Sequence, residues 1–425
     1  MITLKRHFAR IKKPVALLLM LAVQTAAQAA GSSATTVTSL VVNRVNIFTA
    51  DEAAANVAYR LLNAAHRTTR EQTIVQELGV TAGDVLDSDD AEALERQLRG
   101  LDLFASVSVR LVTEGEAAGA LIVNTRDRLS IVAGADGSFT GGVGEVGISI
   151  GERNLLGYGD NVSLSLRRNT ADEIRGVFSY RNLHWLNGRQ TALYRVGATE
   201  EGEFLQLSFA RPFRQRSDRN AWSTLFESVG QEIDYYEGGA SVVQVPEQRH
   251  VLSGSRTWRR TTATDTRSRG ISVLLGDYTY DTVTGSQADT IARPEDNTQL
   301  LVTSVLGKGV QSAHRKVTGL DTLRYVQDIR LGWSSELRLG ARVRHNTSGD
   351  TTVRPVVSGS IVGSRHLPDN AFGKVSAGFS AESIEQGAST SASLGLKYFR
   401  QFTPQLTLAS RIDYRYADTD GELPV

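Results

Sequence analysis

Few residues in this chain stand at spacings that could do chemistry. The run GVGEVG (Gly142 to Gly147) matches the G-x-G-x-x-G pattern of dinucleotide-binding turns. That chemistry needs a helix opening directly after the glycines, and ISIGERN, which follows, alternates as a strand, so a hairpin loop is the better reading. His66, His184, His250, His314, His345 and His366 are scattered, and no two have the i, i+4 spacing of a helical zinc motif. The acidic run DSDDAE (Asp87 to Glu92) lacks the Asp-x-Asp-x-Asp-Gly pattern of a calcium loop and reads as a solvated helix start. A hydrolase would need a nucleophile and a base brought together by the fold, and no local motif points to them. With no cysteine, disulfide and thiol chemistry are excluded. A formal net charge of +1 gives no strong pull toward nucleic acid. The expectation is a protein that is not an enzyme and carries no cofactor or metal.

The elements are more informative. Lys5, Arg6, Arg10, Lys12 and Lys13 precede the apolar run VALLLMLAV (Val15 to Val23), and AQA (Ala27 to Ala29) follows. The apolar run is shorter than the ~20 residues of a membrane-spanning helix. Basic head, apolar stretch and small-x-small site make a secretory signal peptide over 1–29, with cleavage expected after Ala29. No later apolar run is long enough for a spanning helix.

Residues 41–128 read as mixed helix and strand. VNRVNIF (Val42 to Phe48) is strand-like, and DEAAANVAYRLLNAA (Asp51 to Ala65) is rich in helix formers. Thr68 with Glu71, and Thr69 with Gln72, have capping-box spacing ahead of Ile74, Val75 and Leu78. A further helix opens at Asp87, Asp89 and Asp90, carries Leu94 and Leu98 at helical spacing, and stops near Gly100. Two strands follow, one through Val107, Val109 and Leu111 and one at ALIVN. The order is strand, helices, strand, strand.

From Leu129 onward helical periodicity disappears. About fifteen alternating runs, most of about 9–12 residues, are separated by Gly, Asn, Asp and Ser clusters, and that length crosses a bilayer as a tilted strand. In one run Val162, Leu164 and Leu166 alternate with Ser163, Ser165 and Arg167. In the last, Leu406, Leu408, Ile412, Tyr414 and Tyr416 share one face, and Thr407, Arg411, Asp413 and Arg415 share the other. Aromatics gather near run ends (Tyr180 and Trp185; Tyr398, Phe399 and Phe402), as in an interfacial girdle. Tight connections (LLGYGD, LNGR, FTPQ) alternate with open ones (DYYEGGAS, TGSQADTIARPEDN). A soluble sandwich would need bulky core residues along its inner face. Here the polar face carries Arg167, Arg195, Arg411 and Asp413, which suit a wet lumen. The expected fold is an α+β domain over 41–128 followed by an antiparallel transmembrane β-barrel over 129–425, with Val162, Leu164 and Leu166 toward lipid.

This combination resembles the BamA/TamA-type outer-membrane assembly family of Gram-negative bacteria, in which periplasmic POTRA domains precede a surface-antigen barrel. TIVQELGVTAGDVLD looks like the first POTRA helix and its exit (Ile74, Glu77, Leu78, Gly83, Asp84), and LERQLRGLDLFASVSVRL like the second helix and its strand (Leu94, Glu95, Leu98, Arg99, Leu103, Phe104, Val107, Val109). GERNLLGYGDNVSLSL is similar to the first barrel hairpin, through Asn154, Leu155, Leu156, Gly157 and Gly159. Two departures stand out. Only one POTRA domain fits before Leu129, and the Arg-Gly-aromatic plug loop is absent. LASRIDYRYADTDGELPV looks like the strand that leads into that loop, so the native gene is expected to continue past Val425 and the barrel to be incomplete here.

The resemblance implies insertion, assembly or translocation of proteins, with outer-membrane lipid, unfolded outer-membrane or secreted substrates and periplasmic chaperones as partners. It implies no catalytic residue. A substrate strand would add by backbone hydrogen bonding at the first barrel strand, Leu129 to Ser138, through Leu129, Ile131 and Ala133, or at the POTRA strand through Val107 and Val109. Gly134 and Gly137 would weaken packing of that barrel strand. The alternatives are a two-partner secretion transporter and a substrate-specific outer-membrane pore.

Overall fold

The computed structural model describes residues 34–419, apart from short segments at 141–142, 171–173, 200–201, 216, 238–239, 263–264, 291–292, 319–325, 385–386 and 404–405. The expected signal peptide, the first glycine of GVGEVG, part of FTPQ and the tail after Thr419 lie outside the described residues.

The first part holds β1 (Thr35–Thr36), β2 (Ser39–Val45), α1 (Ala50–Ala55), α2 (Val57–Ala65), α3 (Glu71–Leu78), β3 (Val85–Leu86), α4 (Ser88–Arg99), β4 (Phe104–Leu111) and β5 (Ala120–Asp127). β5 is central in a three-stranded sheet, parallel to β2 and antiparallel to β4, and β1 pairs with β3. Apolar spacing on α3 and α4 seats Ile74, Leu78, Leu94 and Leu98 against Leu121 and Val123, all buried. Each such burial stabilises by about 1.5–3 kcal/mol.

Two local expectations are corrected. The helix over 51–65 is two helices, because Asn56 is extended and its side chain accepts from the Ala58 N–H to start the second. Asn favours such caps over helix interiors. The capping boxes at Thr68 and Thr69 do not form. α3 starts after Arg70 without a side-chain cap, because Thr69 is engaged by Asp127. Thr49 with Glu52, and Asp87 with Asp90, form the capping boxes instead.

The rest is one 15-stranded antiparallel sheet in strict chain order. Its first strands are β6 (Ile131–Thr140), β7 (Val143–Leu155), β8 (Asp160–Asn169), β9 (Ile174–Trp185) and β10 (Gln190–Thr199). Next come β11 (Gly202–Arg211), β12 (Asn220–Glu237), β13 (Ala240–Thr261), β14 (Asp265–Tyr280) and β15 (Asn297–Thr318). It ends with β16 (Val326–Asn346), β17 (Thr351–Leu367), β18 (Ala371–Ile384), β19 (Gly387–Thr403) and β20 (Leu406–Thr419). The strand number matches the count of alternating runs.

Strand lengths do not. β13 and β15 have 22 residues each and β16 has 21, about twice what crosses a bilayer. DYYEGGAS is accordingly the tip of the long β12–β13 hairpin, whereas most of TGSQADTIARPEDN is a true connection that folds back to bridge Gln244 at Thr284. The first sheet strand begins at Ile131, two residues after the expected Leu129. GVGEVG enters β7, with no helix after it.

Register separates two chemically opposite faces. Ile361, Ala377, Leu394 and Tyr414 lie in one cross-strand row, and Val375, Leu396 and Ile412 in another. The alternate rows hold Ser334, Val362, Ser376, Gly395 and Asp413, or Glu336, Ser360, Gly378, Ser393 and Arg415. The exposure runs opposite to a soluble protein's. On the apolar face Ile361 is 48% exposed, Leu252 53% and Ile412 63%, while Gln299 and Thr303 on the polar face are buried. Leu164 and Leu166 belong to the exposed apolar face, beside Ile150 and Ile148. Arg167 lies on the other, bonded to Asp136 and Glu145. No described helix is long and apolar enough to cross a membrane.

Candidate functional site at the sheet edge and the domain junction

β6 is an edge of the large sheet: among the described residues it pairs with β7 alone. Ile131 and Ala133 stand on its apolar face, opposite Glu152 and Ile150, and Leu129 sits in the connection just before the strand. Gly134 approaches Ser149, where an added Cβ would lie 2.9 Å from its hydroxyl. β4 is likewise an edge of the small sheet and carries Val107 and Val109. That edge is partly covered, because the Val109 N–H donates to Glu95 Oε2 on α4 at 3.2 Å.

The hairpin residues Asn154 to Gly159 come together with the α+β part. Leu156 and Gly157 have positive φ (54° and 80°), as does Gly159 at 73°. A Cβ on Gly157 would stand 2.6 Å from the Thr68 carbonyl, so close approach as well as φ requires glycine. The Arg70 N–H and the Thr73 hydroxyl both donate to the Gly157 carbonyl, at 2.9 and 3.1 Å, and the Arg70 guanidinium stacks 3.8 Å from the Tyr158 ring centroid. Leu155 closes the turn opposite Asp160. Asn154 is buried: its Nδ2 donates to Thr69 Oγ1 at 2.8 Å, and its Oδ1 accepts from the Gly159 N–H at 2.8 Å.

Thr69 extends that network. Its N–H and hydroxyl donate to Asp127 Oδ2 at 2.7 and 3.0 Å. His66 Nε2 lies 2.8 Å from the same oxygen, and its Nδ1 lies 2.9 Å from Ser130 Oγ. A carboxylate oxygen accepts, so Nε2–H donates to Asp127, and Nδ1 shares the second hydrogen bond with the serine hydroxyl. The fold thus brings His66 to Asp127 and Ser130 across 61 and 64 positions of the chain. The arrangement is a lock rather than a nucleophile: Ser130 is 3% exposed, His66 8% and Asp127 0%, so no substrate reaches the hydroxyl.

Two ionic contacts complete the junction. Glu77 of α3 pairs with Arg214 in the β11–β12 turn and lies 3.3 Å from His184 Nε2 at the end of β9. Burial opposes ionisation of Glu77, but hydrogen bonding to His184 and the Arg214 charge outweigh it and hold the carboxyl below its ordinary range. Burial pushes Arg214 down from the usual guanidinium value. A guanidinium keeps its charge at physiological pH, so the pair is ionic. From α4, Arg99 forks onto Asp328 at 2.8 and 2.9 Å, and Glu95 accepts from Lys316 at 2.8 Å. Burial again works against Glu95, and Lys316, the Val109 N–H and Arg99 overcome it. The α+β part therefore grips the connections β7–β8, β9–β10 and β11–β12 and, separately, the ends of β15 and β16, all at one end of the sheet.

Glu77, Glu95 and Arg99 were legible only as helix-surface residues of a motif. His66, Thr69, Asp127, Ser130, His184 and Arg214 carried no sequence signal, being paired across long separations. Among the described residues no group of His, Asp and Glu could hold a metal ion. The arrangement supplies backbone edges, a polar wall and a locked junction.

A scan against protein-family models finds no match, and a search of curated proteins finds none. Among solved structures the chain is similar to BamA from Haemophilus ducreyi lacking POTRA domains 1–3, at 11% identity over 89% of this chain and 72% of that one, with a TM-score of 0.34. CdiB from Acinetobacter baumannii is 11% identical over 90% and 74%, with a TM-score of 0.30. The copper transporter OprC is 10% identical over 76% and 68%, with a TM-score of 0.36. Scores this low carry no weight in the functional reading, which rests on the chain's own geometry.

Proposed function

We propose that this chain is an outer-membrane β-barrel protein with one periplasmic POTRA domain, acting in insertion or translocation of other proteins by strand addition at a sheet edge. The carrying observation is the inverted sheet, whose leucine, isoleucine and tyrosine face is the exposed one. A contiguous apolar surface across fifteen strands far exceeds what a soluble monomer displays, and lipid is the solvent that accepts it. The strand-helices-strand-strand order of 35–127 and its grip on one end of the sheet support a periplasmic domain held at the barrel mouth. The β6 edge at Ile131 and Ala133, with Leu129 just before it, offers backbone that is unpaired among the described residues to an incoming strand, and the β4 edge at Val107 is a second acceptor for chains delivered by periplasmic chaperones.

The test is reconstitution of the full chain in liposomes with an unfolded outer-membrane barrel as substrate. Faster acquisition of heat-modifiable substrate is expected. Disulfide trapping should join a cysteine at Ala133 to an edge strand of the substrate. No acceleration over empty liposomes sinks the assembly reading, and export of a single secreted substrate in its place would favour a two-partner secretion transporter.

A further inference from the structure

The polar face is electrically lopsided. On β6–β13 carboxylates stand among its cations: Arg167 bonds to Asp136 and Glu145, and Arg249 to Glu227, although Arg167 also faces Arg175 across the ladder. On β16–β20 they do not balance. Lys374, Lys397 and Arg411 are consecutive partners in one cross-strand row, and Arg342 stands directly opposite Arg354. Like charges directly opposed destabilise a sheet. Glu382 answers Arg342, Asp413 answers Arg411, and Arg354 is likewise engaged, while Lys374 and Lys397 have no ion pair among the described residues. Between the two basic rows the wall on β17–β19 carries small uncharged residues (Ser358, Ser380, Ser391, Gly378).

We propose that this wall makes the polar interior an anion-selective path, drawing small hydrated anions such as chloride and phosphate along β16–β20. Fixed cations in a low-dielectric enclosure raise the local concentration of counter-ions and exclude co-ions. The inference rests on the barrel reading above but not on strand addition.

The experiment is planar-bilayer recording of the full chain in a potassium chloride gradient. The reversal potential should show chloride several-fold more permeant than potassium, and added phosphate should reduce the chloride current. Lys374→Glu with Lys397→Glu should carry the selectivity to the cation side. Lys374→Gln with Lys397→Gln should give an intermediate value, with folding of each variant checked by heat-modifiable gel mobility. Cation preference, absence of selectivity or absence of any conductance overturns the proposal, as does a folded charge-reversed variant with unchanged reversal potential. A chain that speeds barrel insertion while conducting cations would fail here and keep the proposed function. Anion currents without insertion activity would do the reverse.

Discussion

At the scale of single residues, the junction depends on charges taken out of water together. Glu77 and Arg214 are both nearly covered, with side chains 4% and 6% exposed. Removing one partner strands the other, which costs about 3–5 kcal/mol for a buried pair. Arg214→Ala should therefore weaken docking of the α+β part by about that much, while Arg214→Ala with Glu77→Leu should recover part of the loss. Hydrogen exchange of α3 amides in detergent-solubilised protein reads both, and equal protection in wild type and single variant would reject the ionic lock. Leu98 acts differently. It is wholly buried in the α+β core, so Leu98→Ala should destabilise that part by about 2–5 kcal/mol and leave the sheet intact. Denaturant melting followed at the α+β part, beside heat-modifiable mobility of the whole chain, separates the two effects.

At the scale of elements, β8 shows how alternation separates an exposed apolar face from a polar one. Period two sends Leu164 and Leu166 to the apolar face with Ile150 and Ile148 across the ladder, and Arg167 to the polar face with Asp136 and Glu145. A one-residue slip would exchange the faces and bring Arg167 to the apolar side, so register is strongly specified. Cysteine at Leu164 should label with a lipid-phase probe and resist a charged maleimide, with the opposite result at Ser163 or Ser165. The reverse labelling would rule out this orientation. Leu164→Arg should cost roughly 2–4 kcal/mol near the bilayer midplane, measured as a shift in unfolding midpoint in lipid. The long strands from β12 to β16 keep pairing well past that thickness, and toward the β12–β13 tip Val243 and Val245 are buried with Tyr280.

For the molecule as a whole, the docked state depends on pH. Glu77 and Glu95 are both held below the ordinary carboxylate value when docked. A depressed docked pKa means that undocking takes up protons as pH falls. The docking contribution is thus complete above the ordinary carboxylate pKa of about 4.3 and is lost as pH drops through the lower docked values. Exchange protection of Thr69 to Leu78 should be flat from about pH 7 to 5 and collapse in stronger acid. Protection that persists unchanged would show that apolar contacts, such as Leu103 against Gly159, hold the parts together without the ions.

The sequence by itself determined what is local and periodic. Leu94 and Leu98 announced a packed helix because helical spacing puts them on one face, and fifteen alternating runs announced a sheet with one apolar side because successive strand side chains point to opposite faces. Asp87 and Asp90 announced a helix start through a contact three residues long. The hairpin at Asn154 to Gly159 was legible because its glycines serve a tight turn. Only the tertiary structure decided what those pieces meet. Arg214 lies 137 residues from Glu77, and Asp328 lies 229 from Arg99, separations at which composition and periodicity say nothing about partnership. The Thr69 hydroxyl is free to cap a helix or to reach a buried carboxylate, and the energy of the assembled junction chose the carboxylate. The lengths of β13, β15 and β16 were decided in the same way: backbone pairing with the neighbouring strand carries the ladder on, and near the β12–β13 tip a cluster of Val243, Val245 and Tyr280, assembled from separate strands, is buried beside it.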